Sequence, residues 1–323
     1  MTSPSWRCVA SRPGARADGQ VTLAGLPPSL VVREVGPRDG LQAEAPVPAT
    51  ARARLIEALL SAGVREIEVA AFVSPKAVPS MAGAAEVLAA IGPRAGVRRW
   101  ALVPNRRGAE LAIDAGIDGL TVTVSASETY SAKNVRMSVA DSVTEAVHIC
   151  ETAGPGVPVD VVVSCAFGSP YEGDIAPAQV ASLCRVVLDG GATQITLADT
   201  TGMASPRRVD DVLALTGSDV GLHLHETRGA GLVNAYAAAQ AGVRRFDTSV
   251  GGLGGSPFAA GATGNLATED LVNLCDDLGV ETGIDLERLL AASAVAADIV
   301  GHDVPSRVAA AGPRSRLAPA TPG

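Results

Sequence analysis

One phrase recurs along the chain. "SAGVREIEVAAF" (61–72), "DAGIDGLTVTVS" (114–125), "DGGATQITLADT" (189–200) and "QAGVRRFDTSV" (240–250) share one pattern. Each closes a helix-like stretch with a small residue and glycine, then enters an apolar, β-branched run. A glycine just past the last helical turn takes the left-handed cap conformation. An unbroken apolar run after it reads as a strand buried on both faces, as in parallel sheets. Further runs of this kind are "LVVREV" (30–35), "VRRWALV" (97–103), "VPVDVVVSC" (157–165) and "DVGLHLH" (219–225). Eight strands alternating with helical segments predict an α/β fold, a (β/α)8 TIM barrel, with a doubly wound sheet as the alternative. Two more helical patterns, "TEDLVNLCDDLG" and "DLERLLAASAVAADIVG", predict extra C-terminal helices. Thr268 is placed to N-cap the first, with Glu269 and Asp270 in its first turn.

Composition narrows the class. A chain of 323 residues suits one barrel, and 47% hydrophobic content supplies its core. Net charge is −8 and no basic face is evident, which excludes a nucleic-acid footprint. An anionic substrate must then be held by local positive charge or by a metal. The five cysteines, Cys8, Cys150, Cys165, Cys184 and Cys275, are odd in number and widely spaced. That fits a reducing, cytoplasmic setting rather than a disulfide framework or a cysteine zinc site. No apolar run reaches the roughly 18 residues that mark a membrane span. Residues 1–27 are rich in Arg and Ser, as a mitochondrial transit peptide is. The whole chain, however, favours Arg over its two lysines, the bias of a GC-rich genome, so these residues read as a disordered tail. The single domain is expected over 28–303, with a second disordered tail over 304–323.

A barrel of this kind carries its chemistry where the strands end. The first strand runs into "GPRDGLQ", bringing Arg38, Asp39 and Gln42 to the rim, although "PRDG" alone is an ordinary turn. The seventh ends in "HLH". His223 and His225 there face the same way, about 7 Å apart. Two inward imidazoles are costly unless paired or ligating, so metal ligation outranks a plain core role. Glu66 and Glu68 share parity on the second strand, and burial of either demands a partner. Asp199 closes the sixth. After the eighth comes "SVGGLGGSPFAAGATGN" (249–265), with six glycines in seventeen positions. It reads as a connector, a phosphate cradle or a lid. The spacing G-x-G-x-x-G fails after Gly252 and Gly254, and no G-K-[ST] follows, so neither nucleotide fingerprint is met. This loop adds Ser256 and Asn265. Asp39, His223, His225 and Asn265, with water, form a ligand mix suited to Mg2+ or Mn2+, with zinc or cobalt also compatible with the imidazoles.

Seven segments, "VREVGPRDGLQ", "FVSPKAVPSMA", "SASETYSAKN", "VSCAFGSPYEG", "LADTTG", "HLHETRG" and "GGLGGSPFAAGATGNLATEDLV", resemble 3-hydroxy-3-methylglutaryl-CoA lyase in order, over roughly residues 28–300. The family comprises metal-dependent TIM-barrel lyases and Claisen-type synthases. Its lyases cleave a 3-hydroxy-3-methylglutaryl thioester into acetyl-CoA and acetoacetate. The resemblance implies metal ligation by Asp39, His223, His225 and Asn265, and catalytic roles for Arg38, Glu68 and Asp199. It makes the glycine loop a mobile catalytic lid, which physically suits closure over a substrate and exclusion of water. It also implies an acyl-CoA substrate, a homodimer and a setting in branched-chain (leucine) degradation. Arg38, Gln42 and Arg228 are the candidates for substrate binding.

The departures are specific. The family's G-G-C-P, whose cysteine is catalytic, reads Gly254-Gly255-Ser256-Pro257 here. In "HLHETRG" Glu226 and Arg228 replace the usual Asp and Tyr, and Ser169 stands where Cys is common. A thiol, with a pKa of about 8.5, suits proton transfer near neutrality far better than a serine hydroxyl. Three readings follow: a lyase for the family substrate in which water or Glu68 covers the proton transfer; a lyase for another 3-hydroxyacyl-CoA such as citramalyl-CoA; or a silent acyl-CoA-binding member. The intact ligand set and Arg38 disfavour the last.

Overall fold

The computed structural model describes residues 25–255 and 264–316. Eight parallel strands close into a barrel in sequence order: β1 (Val31–Glu34), β2 (Glu66–Ala71), β3 (Arg98–Leu102), β4 (Gly119–Ser125), β5 (Val159–Ser164), β6 (Gln194–Ala198), β7 (Gly221–His223) and β8 (Arg245–Thr248). Helices α1 (Ala49–Ser61), α2 (Ala84–Ile91), α3 (Arg106–Asp114), α4 (Glu128–Asn134), α5 (Val139–Ala153), α6 (Pro177–Asp189), α7 (Pro206–Thr216) and α8 (Gly231–Gln240) lie between them. Helices α9 (Thr268–Leu278), α10 (Leu286–Val300) and α11 (Arg307–Ala311) follow. The closed barrel bears out the TIM-barrel expectation and sets aside the doubly wound sheet. In the recurrent phrase the glycines do sit at positive φ, from 79° at Gly116 to 105° at Gly63. Among the described residues no helix is long and apolar enough to cross a membrane.

The main core lies between barrel and helices, where Leu55, Ile56 and Leu59 of α1 are buried in one cluster with Ile67 and Val69 of β2. Inside the barrel one level is polar instead. Arg33 forms ion pairs with Asp160 and Asp247, and its guanidinium lies 5.3 Å from the Trp100 ring centroid. Thr196 donates to Asp160 at 2.8 Å.

Two expectations need correction. Thr268 does not cap α9. It is the first helical residue, and its hydroxyl donates to buried Glu34 Oε2 at 2.6 Å instead of accepting a helix N–H. The stretch 304–323 begins with ordered chain: Asp270 Oδ1 accepts from Ser306 Oγ at 2.8 Å and from Val308 N at 2.9 Å, fixing the start of α11. The acidic first turn of α9 thus holds the start of α11. Of the expected N-terminal tail, residues 1–24 lie outside the described residues.

Candidate active site

Arg38 and Asp39 leave β1 in one turn of π-helix, Gly36–Gly40. The backbone N–H groups of Arg38, Asp39 and Gly40 all point at Val35 O, at 3.1, 2.7 and 3.3 Å. Glycine is required at the start of the turn, because a Cβ on Gly36 would lie 2.6 Å from Glu34 Oε1. Such wide turns are rare and concentrate at functional sites.

This turn brings Asp39 to His223, the last residue of β7, and to His225 just past it. One ligand atom each from Asp39, His223 and His225 lie within 4.8 Å of one another. The two Nε2 atoms are 3.2 Å apart, and His223 Nε2 is 3.8 Å from Asp39 Oδ2. The chain after the glycine loop returns beside them: His225 and Asn265 pair as an isolated β-bridge. Asn265 Nδ2 donates to Asp39 Oδ2 at 2.8 Å and to Leu253 O at 3.0 Å, while its Oδ1 is buried without a hydrogen-bond partner. Gly254 makes the approach possible, since a Cβ there would sit 2.6 Å from Asn265 Nδ2.

Arg38 is engaged by carboxylates. Its Nε and Nη2 each lie 2.6 Å from Glu68 Oε2, and Nη1 donates to Asp39 Oδ1 at 2.6 Å and to Gln42 Oε1 at 3.4 Å. Burial disfavours charge on Asp39, but Arg38, His223 and the Asn265 donor outweigh it and hold the carboxyl at about 2. For Glu68 burial wins, and its pKa is raised despite Arg38 and Arg33. Its Oε1 is buried without a hydrogen-bond partner.

These residues satisfy what a divalent cation requires. Asp39, His223 and His225 bring a carboxylate and two imidazoles together, and Asn265, bonded to Asp39 through Nδ2, adds an orphaned amide oxygen, a donor set for a hard ion. Charge agrees in sign: the carboxyls of Asp39, Glu68, Asp160 and Asp247 outnumber the guanidiniums of Arg33 and Arg38 that they face, with the imidazole of His223 beside Asp39 and Asp247.

A single cavity is lined by Arg38, Asp39, Gln42, Glu68, His223 and His225. Its remaining wall includes Leu102, Val162 and Ala198, with the hydroxyls of Thr121 and Thr123. Asp199 and Arg228 do not line it. Asp199 Oδ1 accepts from Met203 N at 2.6 Å and Ala204 N at 2.9 Å, so the carboxylate is turned into its own loop. Burial raises its pKa to about 6 against those donors. Arg228 Nη1 donates to Thr201 O and Gly202 O, both at 2.8 Å, which ties two loops together. Ser169 donates to Glu172 within the β5 loop. Ser256 and the centre of the glycine loop lie outside the described residues. Sequence reasoning missed Asp247, Arg33 and Thr121. The available signal was a charged residue inside an otherwise apolar strand, as in "RRFDTSV" and "LVVREV".

Comparison with known proteins agrees with this geometry. The family model described as HMGL-like matches residues 30–296. The chain belongs to the HMGL-like family. It is 41% identical to the 3-hydroxy-3-isohexenylglutaryl-CoA/hydroxy-methylglutaryl-CoA lyase of Pseudomonas aeruginosa, across 88% of this chain and 98% of that protein. It is 43% identical to the (R)-citramalyl-CoA lyase of Chloroflexus aurantiacus, across 88% of this chain and 95% of that one. The structure of an HMG-CoA lyase from Acinetobacter baumannii, in complex with coenzyme A and 3-methylmalate, superposes with a TM-score of 0.86. Identity there is 43%, covering 93% of this chain and 99% of that one. This HMGL-like chain is therefore a carbon–carbon lyase of the HMG-CoA lyase type.

Proposed function

We propose that this HMGL-like lyase is divalent-metal-dependent and cleaves 3-hydroxy-3-methylglutaryl-CoA to acetyl-CoA and acetoacetate. The observation that carries the reading is the convergence of Asp39, His223 and His225 beside Arg38 in one cavity, with Asn265, whose Oδ1 is orphaned, bonded to Asp39 through Nδ2. These four residues would hold Mg2+ or Mn2+, and such an ion supplies Lewis acidity that lowers the pKa of the substrate hydroxyl.

The chain's own groups do the rest. Glu68 Oε1, unpartnered and on a carboxyl of raised pKa, takes the 3-hydroxyl proton. The C3–O bond becomes a carbonyl, the C2–C3 bond breaks, and its electron pair passes to the thioester enolate. Of the five N–H groups of Arg38, three donate to Glu68, Asp39 and Gln42, and Nη2, in ion-pair contact with Glu68, keeps its N–H groups for that enolate oxygen. A proton returned to C2, through Ser256 or water, completes acetyl-CoA. Asp39 serves poorly as base, because both its oxygens are engaged and its pKa is about 2.

A second reading, cleavage of citramalyl-CoA, is favoured by the 43% identity to a citramalyl-CoA lyase. The two separate in one assay: Mg2+-supplemented cleavage of each thioester, with acetyl-CoA followed by mass. Release from 3-hydroxy-3-methylglutaryl-CoA supports the first reading. Release from citramalyl-CoA alone replaces it with the second.

A further inference from the structure

Three adjacent strands of the closed barrel place His223, Asp247 and Arg33 at one level. His223 of β7 is in register with Asp247 of β8, and Asp247 with Arg33 of β1. Register partners on neighbouring parallel strands point the same way, about 4.8 Å apart, so the three side chains form a row. The contacts follow that row. Arg33 grips Asp247 with a two-pronged bond, Nε to Oδ1 at 2.8 Å and Nη2 to Oδ2 at 2.7 Å. Asp247 Oδ2 lies 3.4 Å from His223 Nδ1. The far side of Arg33 is fixed as well: Nη1 lies 2.6 Å from Asp160 Oδ2, and Trp100 lies over the guanidinium.

We propose that Asp247 and Arg33 are positioning residues for the metal centre: Asp247 fixes His223 as the Nδ1–H tautomer, and Arg33 fixes Asp247. The inference rests on the metal-dependent reading above. A ligating imidazole needs its other nitrogen protonated and aimed at an acceptor, and a carboxylate is the strongest such acceptor. Here the carboxylate cannot rotate away, because both oxygens are held by one rigid guanidinium. The opposite tautomer would direct an Nε2–H into the ligand cluster, where His225 Nε2 is 3.2 Å away. A purely structural role for the pair would require none of this, because Arg33 and Asp160 already neutralise one another. Asp247 is the member that faces the ligand.

The test uses the full chain, labelled with 15N-histidine. There are four histidines in the sequence, and His148 and His302 are assigned by their Gln variants. In metal-free protein at alkaline pH, long-range 15N–1H correlation is expected to show His223 protonated at Nδ1. Asp247→Asn puts an amide N–H where Oδ2 accepts. It is expected to shift His223 toward the Nε2–H tautomer and to weaken Mn2+ binding about 10–100-fold. Arg33→Lys keeps the charge but loses the fork, and moves both readouts in the same direction by a smaller factor. An Nε2–H tautomer in the wild type overturns the proposal, and this readout needs no variant to fold. So does unchanged Mn2+ affinity in an Asp247→Asn protein that still unfolds cooperatively. Failure of the wild type to bind Mn2+ overturns the metal-dependent reading instead, while the tautomer still decides the relay.

Discussion

Asn265 donates from Nδ2 to Oδ2 of Asp39 at 2.8 Å, across 226 residues of sequence, and its own Oδ1 is left buried without a hydrogen-bond partner. The contact joins the turn after β1 to the segment that follows the glycine loop. It fixes the Asn265 amide against a carboxylate that His223 and His225 also approach.

Metal should therefore stabilise the fold as well as support turnover. A ligand bound only by the native state adds about 2.7 kcal/mol at a hundred times its Kd. After chelator treatment, Mn2+ is expected to raise Tm in a concentration-dependent way in the wild type. His225→Ala should abolish the rise and Asn265→Ala should reduce it. Calorimetry with and without Mn2+ checks this.

Arg38 is expected to act on the chemical step. It is anchored by Glu68 and Asp39, and Nη2 keeps its N–H groups for the enolate oxygen. Arg38→Lys supplies a charge without the fork. A fall in kcat of about 10²–10³ follows if the lost donor acts in the transition state, with a smaller change in KM. Steady-state kinetics at saturating Mg2+ separate the two parameters.

Ser256→Cys should accelerate the family reaction. A thiol has a pKa of about 8.5, so it donates and accepts a proton near neutrality where an alcohol does not. The expected gain on 3-hydroxy-3-methylglutaryl-CoA is about 10²-fold, the low end of a general acid–base contribution. An unchanged rate would mean that proton return to C2 does not pass through this position.

Stability should fall as pH rises from about 5 to 8.5. Burial pushes Glu34 up to about 8 and Glu269 up to about 7. Both folded values lie above the ordinary glutamate pKa of about 4.3. The folded state then holds protons that the unfolded chain has lost. Their stabilisation is complete below the unfolded pKa and disappears as pH rises through 7 and 8. Urea midpoints of the wild type should be lower at pH 8.5 than at pH 5.5. Glu34→Gln should have a shallower slope, because a neutral amide can still accept from Gly36 N and Val250 N, which lie 2.7 and 2.8 Å from Oε1.

Much of the rim could be read one segment at a time. "GPRDG" and "HLH" each carry a charged or imidazole group at the end of an apolar run, where a barrel exposes it to the cavity. Asp199 and Arg228 satisfy the same rule but turn to backbone groups of their own neighbourhood. Which way a rim side chain turns depends on loop backbone conformation, and periodicity carries no information about that. Thr268 is similar: it has the right residue type for a cap, yet a buried carboxyl from β1 takes its hydroxyl.

The sequence by itself determined the alternation of strands and helices, the glycines that end the helices, and the residue types available to bind a cation. Those are local properties: steric limits on φ, apolar runs, and the donor chemistry of Asp, His and Asn. Tertiary structure alone decided that Arg33 meets Asp247, 214 residues away, because β1 and β8 become neighbours only when the barrel closes. Closure also decided that charged residues embedded in apolar strands could be buried, since Asp247 finds Arg33 at the same level on the adjacent strand and Asp160 of β5 meets it across the barrel. A buried charge is tolerated only when paired, and pairing across strands is a property of the register rather than of either segment.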